Sequence, residues 1–123
     1  MDVKRCFDTY ALMEIFDGNP KFEKYINSDF VITDLTLVEF YNVILKKYDE
    51  RTAEYWFKKY MNYSVSVDKW VLKEAIKFKF EKRKTNISFF DAVGYVFSLS
   101  NNYPFVTGDK EFENLKGVEF KKK

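Results

Sequence analysis

The sequence predicts an α/β domain whose strands are joined by crossover helices, and three observations carry that prediction. Short β-rich runs alternate with segments of helical period instead of gathering in one half of the chain. The helical segments carry apolar stripes, and one of them, SFFDAVGYVFSLS (88–100), is apolar nearly all round, as a fully buried helix is. The chain has 123 residues, 46% hydrophobic, enough for one real core and too few for two. Residues 1–123 are therefore read as a single domain.

The expected strands are VKRCF (3–7), FVIT (30–33), SVSV (64–67), PFVT (104–107) and GVEF (117–120). Leu37, Phe40, Tyr41, Ile44, Leu45 and Tyr48 recur at helical spacing and mark a helix starting at Thr36. Ala53, Trp56, Phe57 and Tyr60 repeat the pattern in the next segment. Asp17-Gly18, with Pro20 soon after, ends a first helix and begins another through Lys21 to Ile26. Residues 68–83 begin as a helix, whereas KFKFEK alternates with period two and leaves the end of that segment open.

Composition removes several kinds of chemistry. Histidine is absent, which excludes Ser-His-Asp and Cys-His catalysis and histidine-based zinc sites. The single Cys6 precludes a disulfide framework within the chain. No apolar run approaches a membrane span and the start of the chain lacks a secretory pattern, so a soluble, cytoplasmic protein is expected. Any active site must use carboxylates, hydroxyls, lysines or arginines, and such a donor set suits hard cations such as Mg²⁺ or Mn²⁺.

Formal net charge is only +2, which does not by itself indicate a nucleic-acid binder. The basic residues are nevertheless clustered. KFKFEKRK, Lys77 to Lys84, holds five basic residues against one acid, and the chain ends in KKK. The plain reading of both is a solvated helix end and a frayed tail.

Four acids occupy junctions between elements: Asp8 after the first strand, Glu39 in the first turn of the helix after the second, Asp91 at the start of the apolar helix, and Asp109 after the fourth strand. Each has a structural explanation. Thr36 with Glu39, and Ser88 with Asp91, fit capping boxes, while Asp8 and Asp109 fit simple N-caps. Taken together they suggest more. In a parallel sheet with right-handed crossovers, the ends of the strands and the helices that follow converge on one edge, where ligands bind. Carboxylates crowded there repel, which raises pKa values or calls for a cation.

FDTYALMEIFDGNP, TLVEFYNVIL, SFFDAVGYVFSLSNNYPFVTGDKEF and GVEF, in this order over almost the whole chain, resemble the PIN-domain nucleases and, among them, the small VapC-type toxins of toxin-antitoxin pairs. The resemblance implies a three-layer α/β/α fold around a mostly parallel five-stranded sheet, and metal-dependent endoribonuclease activity on RNA with Mg²⁺ or Mn²⁺. It assigns Asp8, Glu39, Asp91 and Asp109 as the catalytic, metal-binding acids, and Thr9 and Thr107 as supporting hydroxyls. Lys110, Lys77 and Lys79 are candidates for holding the RNA backbone. A cognate antitoxin and a homodimer are the implied partners. One departure is Asp34, an acid where a small polar residue is expected; it is either an added ligand or a turn acid ahead of the Thr36 cap.

Two other readings are open from the residues. One is phosphoryl transfer through a phosphorylated aspartate, against which stand the lack of a second acid in FDTYA and of a lysine ending the PFVT strand. The other is a non-enzymatic binding module, in which the acids are only caps and aromatic surface holds a protein partner. A PIN nuclease in RNA processing, outside any toxin-antitoxin pair, is a variant of the first assignment.

Overall fold

The computed structural model describes residues 3–123. The elements follow in the order β1 (Arg5–Phe7), α1 (Thr9–Phe16), a 3-10 turn (Pro20–Phe22), α2 (Glu23–Ile26), β2 (Phe30–Thr33), α3 (Asp34–Lys47), α4 (Glu50–Met61) and β3 (Ser64–Val65). Then come α5 (Lys69–Glu81), α6 (Phe89–Ser100), β4 (Phe105–Thr107), a second 3-10 turn (Lys110–Phe112) and β5 (Val118–Phe120). All five expected strands form; FVIT is complete, and the other four are trimmed at their ends.

The sheet order is β3-β2-β1-β4-β5, and every pairing is parallel. From β1 the chain first builds outward through β2 and β3, then returns to lay β4 and β5 on the other side. The direction of building reverses between β1 and β4, and this is where a parallel α/β sheet opens a crevice at its carboxyl edge.

Side-chain alternation along the short strands separates two cores. Phe7, Phe30, Ile32 and Val106 point into a cluster with Leu12, Phe22, Phe40 and Ile44 from the layer of α1 to α4. Their neighbours Cys6, Val31 and Phe105 point the other way, against Ala75 of α5, Ala92 and Val93 of α6, and Phe112. Successive strand residues face opposite sides of a pleated sheet, so a strand buried on both faces needs no polar alternation. The result is the expected three-layer α/β/α arrangement.

Local starts and stops differ from expectation in informative places. The helix expected at Thr36 begins at Asp34, because Thr33 ends β2 and caps α3 at once, its hydroxyl accepting from the Thr36 amide at 3.1 Å. Glu39 therefore lies in the second turn, and no Thr36–Glu39 capping box forms. Within α3, Leu37, Phe40 and Ile44 are buried, while Leu45 and Tyr48 of the expected stripe are exposed. The stretch from Lys21 to Ile26 is divided between the first 3-10 turn and α2. The KFKFEK segment is helical, since α5 runs to Glu81. Ser88 caps α6 by accepting from the Asp91 amide at 3.1 Å, as expected. Among the described residues no helix is long and apolar enough to cross a membrane.

Candidate active site

The site is built on the end of β1. One residue past the strand, Asp8 is 1% exposed and caps α1, its Oδ1 accepting from the Ala11 amide at 2.8 Å. Its Oδ2 accepts the hydroxyl of Thr107, the last residue of the neighbouring β4. The Thr107 oxygen in turn accepts from the Asp109 amide at 3.0 Å. Asp109 caps the second 3-10 turn through the Glu111 amide, also at 3.0 Å. The acids after β1 and β4 thus lie on either side of the crevice, bridged by one threonine.

Glu39 reaches the same region from α3, where its carboxylate accepts the hydroxyl of Thr9, the residue after Asp8. Asp91 approaches from the start of α6. The electrostatics link these acids: Asp8 feels the charges of Asp91 and Asp109, and Asp91 those of Glu39 and Asp109. Burial, then the charge of Asp91 and, more weakly, that of Asp109, push the Asp8 carboxyl well above the usual carboxylate range, against the hydrogen bonds from Thr107 and Ala11. Asp91 is raised to about 7 by burial and then by the charges of Glu39 and Asp109, with Ser88 opposing. Carboxyls that repel in a dry crevice keep their protons longer than they do in water.

The structure thus brings Asp8, Glu39, Asp91 and Asp109 together, with Thr9 and Thr107 holding two of them. Among the described residues, however, no three acidic side chains are drawn around one point as the ligands of a bound ion are. Asp34 opens α3, where the helix dipole favours an acid, and the charges acting on Asp8 and Asp91 do not include it. Lys110 follows Asp109 and is exposed. Lys77 lines a groove with Phe78, Glu81, Val96 and Leu99, at the end of α6 away from Asp91. Lys79 is exposed on α5. Cys6 is fully buried and its thiol is pushed up to about 12 by burial, so it supplies neither nucleophile nor ligand.

Two features escape the sequence reading. Gly108 packs directly against the ring of Tyr10: a Cβ at that glycine would lie 2.1 Å from Tyr10 Cε1. The lysine run 121–123, read as a frayed tail, instead lies against this same edge: the Lys121 amide donates to the Thr107 carbonyl at 2.8 Å and the Lys123 amide to the Tyr10 hydroxyl at 3.0 Å. The available signal was topological, because in a parallel sheet the end of β5 lies on the same edge as the ends of β1 and β4.

A parallel α/β fold with hydroxyl-braced acids at its switch point defines a class of carboxylate-site proteins, and the comparisons place the chain within it. The PIN-domain family profile matches residues 5–118; the chain belongs to that family. Membership supports a hydrolase acting on nucleic acids. No curated protein matches it. Among solved structures it is similar to VapC20 of Mycobacterium tuberculosis, described as a Sarcin-Ricin loop cleaving toxin, at 12% identity and a TM-score of 0.76, covering 93% of this chain and 98% of that one. It is likewise similar to the DNA-bound VapBC of Salmonella typhimurium, at 17% identity and 0.74, covering 99% and 98%. A third is PAE2754 from Pyrobaculum aerophilum, at 24% and 0.71, covering 98% and 92%. At these identities the likeness is one of fold.

Proposed function

We propose that the protein is a divalent-metal-dependent endoribonuclease, the toxin of a toxin-antitoxin pair, with Asp8, Glu39, Asp91 and Asp109 as its catalytic acids. The observation that carries this reading is the convergence of acids at the switch point: Asp8 and Asp109 are bridged by Thr107, and Asp8 and Asp91 are raised first by burial and then by the charges of their neighbours. Such a cluster is costly for the apo fold and is relieved by a cation. The donor set fits Mg²⁺ or Mn²⁺: carboxylate oxygens, no histidine in the sequence, and the one thiol buried and protonated. When bound, the ion supplies counter-charge to the acids and to the phosphodiester as charge develops on it.

The residues of the chain have separable roles. Asp8 and Asp109 are the direct ligands, fixed relative to each other by Thr107. Glu39 is turned toward the site by Thr9, and Asp91, near neutrality, holds or releases a proton at working pH. Of the three candidate lysines, Lys110 is the one next to a site acid, Asp109, whereas Lys77 lines a groove toward the other end of α6; Lys110 is therefore the choice for a phosphate contact. Hydrolysis leaves a 5′-phosphate on the product.

The toxin assignment is supported by the VapBC complexes among the similar structures and by exposed apolar residues such as Val38, Tyr55 and Met61 on α3 and α4, which suit an antitoxin. A basic antitoxin side chain inserted among the acids is the expected inhibitory contact, and the toxin is expected to dimerise. The test is cleavage of a defined RNA set with Mg²⁺, Mn²⁺ or EDTA. Cleavage with either ion, its loss in EDTA, and its loss in folded Asp8→Asn and Asp109→Asn variants are expected. Undiminished metal-dependent cleavage by both variants would overturn the assignment.

A further inference from the structure

The acids crowded on this edge pose a difficulty for any polyanionic substrate, since the crevice repels phosphate unless positive charge lies beside it. That charge is found in the lysine run that follows β5. Lys122 extends its amine back over the edge, donating to the Gly108 carbonyl at 3.4 Å and lying 5.9 Å from the centre of the Tyr10 ring. Gly108 directly precedes Asp109 in the chain, so the Lys122 amine sits on the backbone that leads into that acid.

The contacts of the Lys122 amine are neutral ones. Among the described residues its charge is not met by a carboxylate: the ion pairs join Arg5 and Lys24 to Glu119, Lys73 to Glu74, and Lys123 to Glu14. Lys123 is thus occupied while Lys122 keeps its charge for an incoming anion. Its position is set by Tyr10, whose ring lies on Gly108 and whose hydroxyl accepts the Lys123 amide. The same helix start that supplies Asp8 and Thr9 therefore supplies the post on which the lysine run rests.

Resting on the nuclease reading above, we propose that Lys122, held by Tyr10, is a substrate-positioning residue that grips the RNA phosphate backbone beside Asp109. An ammonium on a phosphate reads backbone and not sequence. Its loss should therefore weaken all RNAs alike and reduce the salt dependence of binding by about one phosphate contact.

The experiment compares wild type with Lys122→Met, which keeps the aliphatic stem over Tyr10 and removes the charge, and with Lys122→Arg, which restores charge. Tyr10→Phe keeps the ring on Gly108 and removes the hydroxyl. Binding of fluorescent single-stranded RNAs is measured in EDTA across a salt series, and cleavage is then measured with Mg²⁺ or Mn²⁺. For Lys122→Met the expected result is a several-fold rise in Kd and KM across sequences, a salt slope smaller by about 0.7, and unchanged kcat. Lys122→Arg should behave as wild type, with Tyr10→Phe intermediate. Wild-type cleavage with an unchanged slope and KM in folded Lys122→Met would overturn the Lys122 proposal alone. Lys122-dependent RNA binding without cleavage by wild type would overturn the nuclease reading and uphold this one. Absence of RNA binding by wild type would overturn both.

Discussion

Thr107 donates its hydroxyl to the Asp8 carboxylate across the β1–β4 pairing, and the same oxygen accepts the amide of Asp109. One buried threonine thereby sets the spacing of two acids that come from strands about a hundred residues apart in sequence. The arrangement makes the site sensitive to changes that leave every acid in place.

Thr107→Val keeps the shape of the side chain and deletes both hydrogen bonds. A buried polar group left without its partner costs about 1–3 kcal/mol, so urea unfolding should show a loss of that order. Cleavage should fall more steeply than stability, because Asp8 and Asp109 lose their common tether. Thr107→Ser should retain both. A Thr107→Val protein with wild-type activity would show that the tether is dispensable.

Stability without metal should fall as pH rises from about 4 to about 7. In the native state Asp91 keeps its proton up to about 7, whereas in the unfolded chain an aspartate loses it near 3.9. Across that window the native state binds more protons, so the slope of unfolding free energy against pH is negative, on the order of 1.4 kcal/mol per pH unit for one group. Asp8, raised in the same direction, adds to it. Denaturant titrations in EDTA should show the decline, and Asp91→Asn should flatten it.

Mg²⁺ or Mn²⁺ should raise the melting temperature in proportion to the logarithm of concentration above Kd. At pH 6, binding should also release protons, because the cation displaces the proton that Asp91 holds up to about 7. Calorimetry in buffers of different ionisation enthalpy measures the number released. Asp91→Asn should lower it, and an identical proton count in that variant would remove Asp91 from the ion's neighbourhood.

Gly108→Ala should destabilise the fold through the Tyr10 ring. The added methyl would lie 2.1 Å from Cε1, and overpacking of this kind costs about 1–3 kcal/mol. The double variant Gly108→Ala/Tyr10→Ala should recover part of the loss in thermal melts. If it melts no higher than Gly108→Ala alone, the collision lies elsewhere.

Much of the architecture was legible in the sequence because the strands are short β-rich runs set between helices with clear stripes. FVIT, for example, forms β2 over all four residues. The start of α3 was not legible, because Thr33 both closes the strand and caps the helix, leaving no loop between them to mark the boundary. The period-two pattern of KFKFEK left the end of α5 undecided for another reason: Phe78 packs inward while Phe80 is 63% exposed, so its alternation does not record a buried sheet face. At the site, the acids and both threonines could be named from junction position and family resemblance. Glu39 was assigned the wrong local partner, since it accepts from Thr9, thirty residues earlier, and not from a capping box in its own helix.

The sequence alone determined the kind of chemistry available and the elements that deliver it. Without histidine and with one thiol, only oxygen donors remained, and caps and strand ends put those donors at junctions. Tertiary structure decided which junctions meet. Reversal of strand order between β1 and β4 brought Asp8 beside Thr107 and Asp109, burial raised Asp8 and Asp91, and the parallel course of β5 turned three lysines from a tail into part of the same edge. Those outcomes depend on contacts between residues distant in the chain, which local pattern does not encode; in PFVTGDKEF the glycine looks like a turn residue until the Tyr10 ring is seen lying on it.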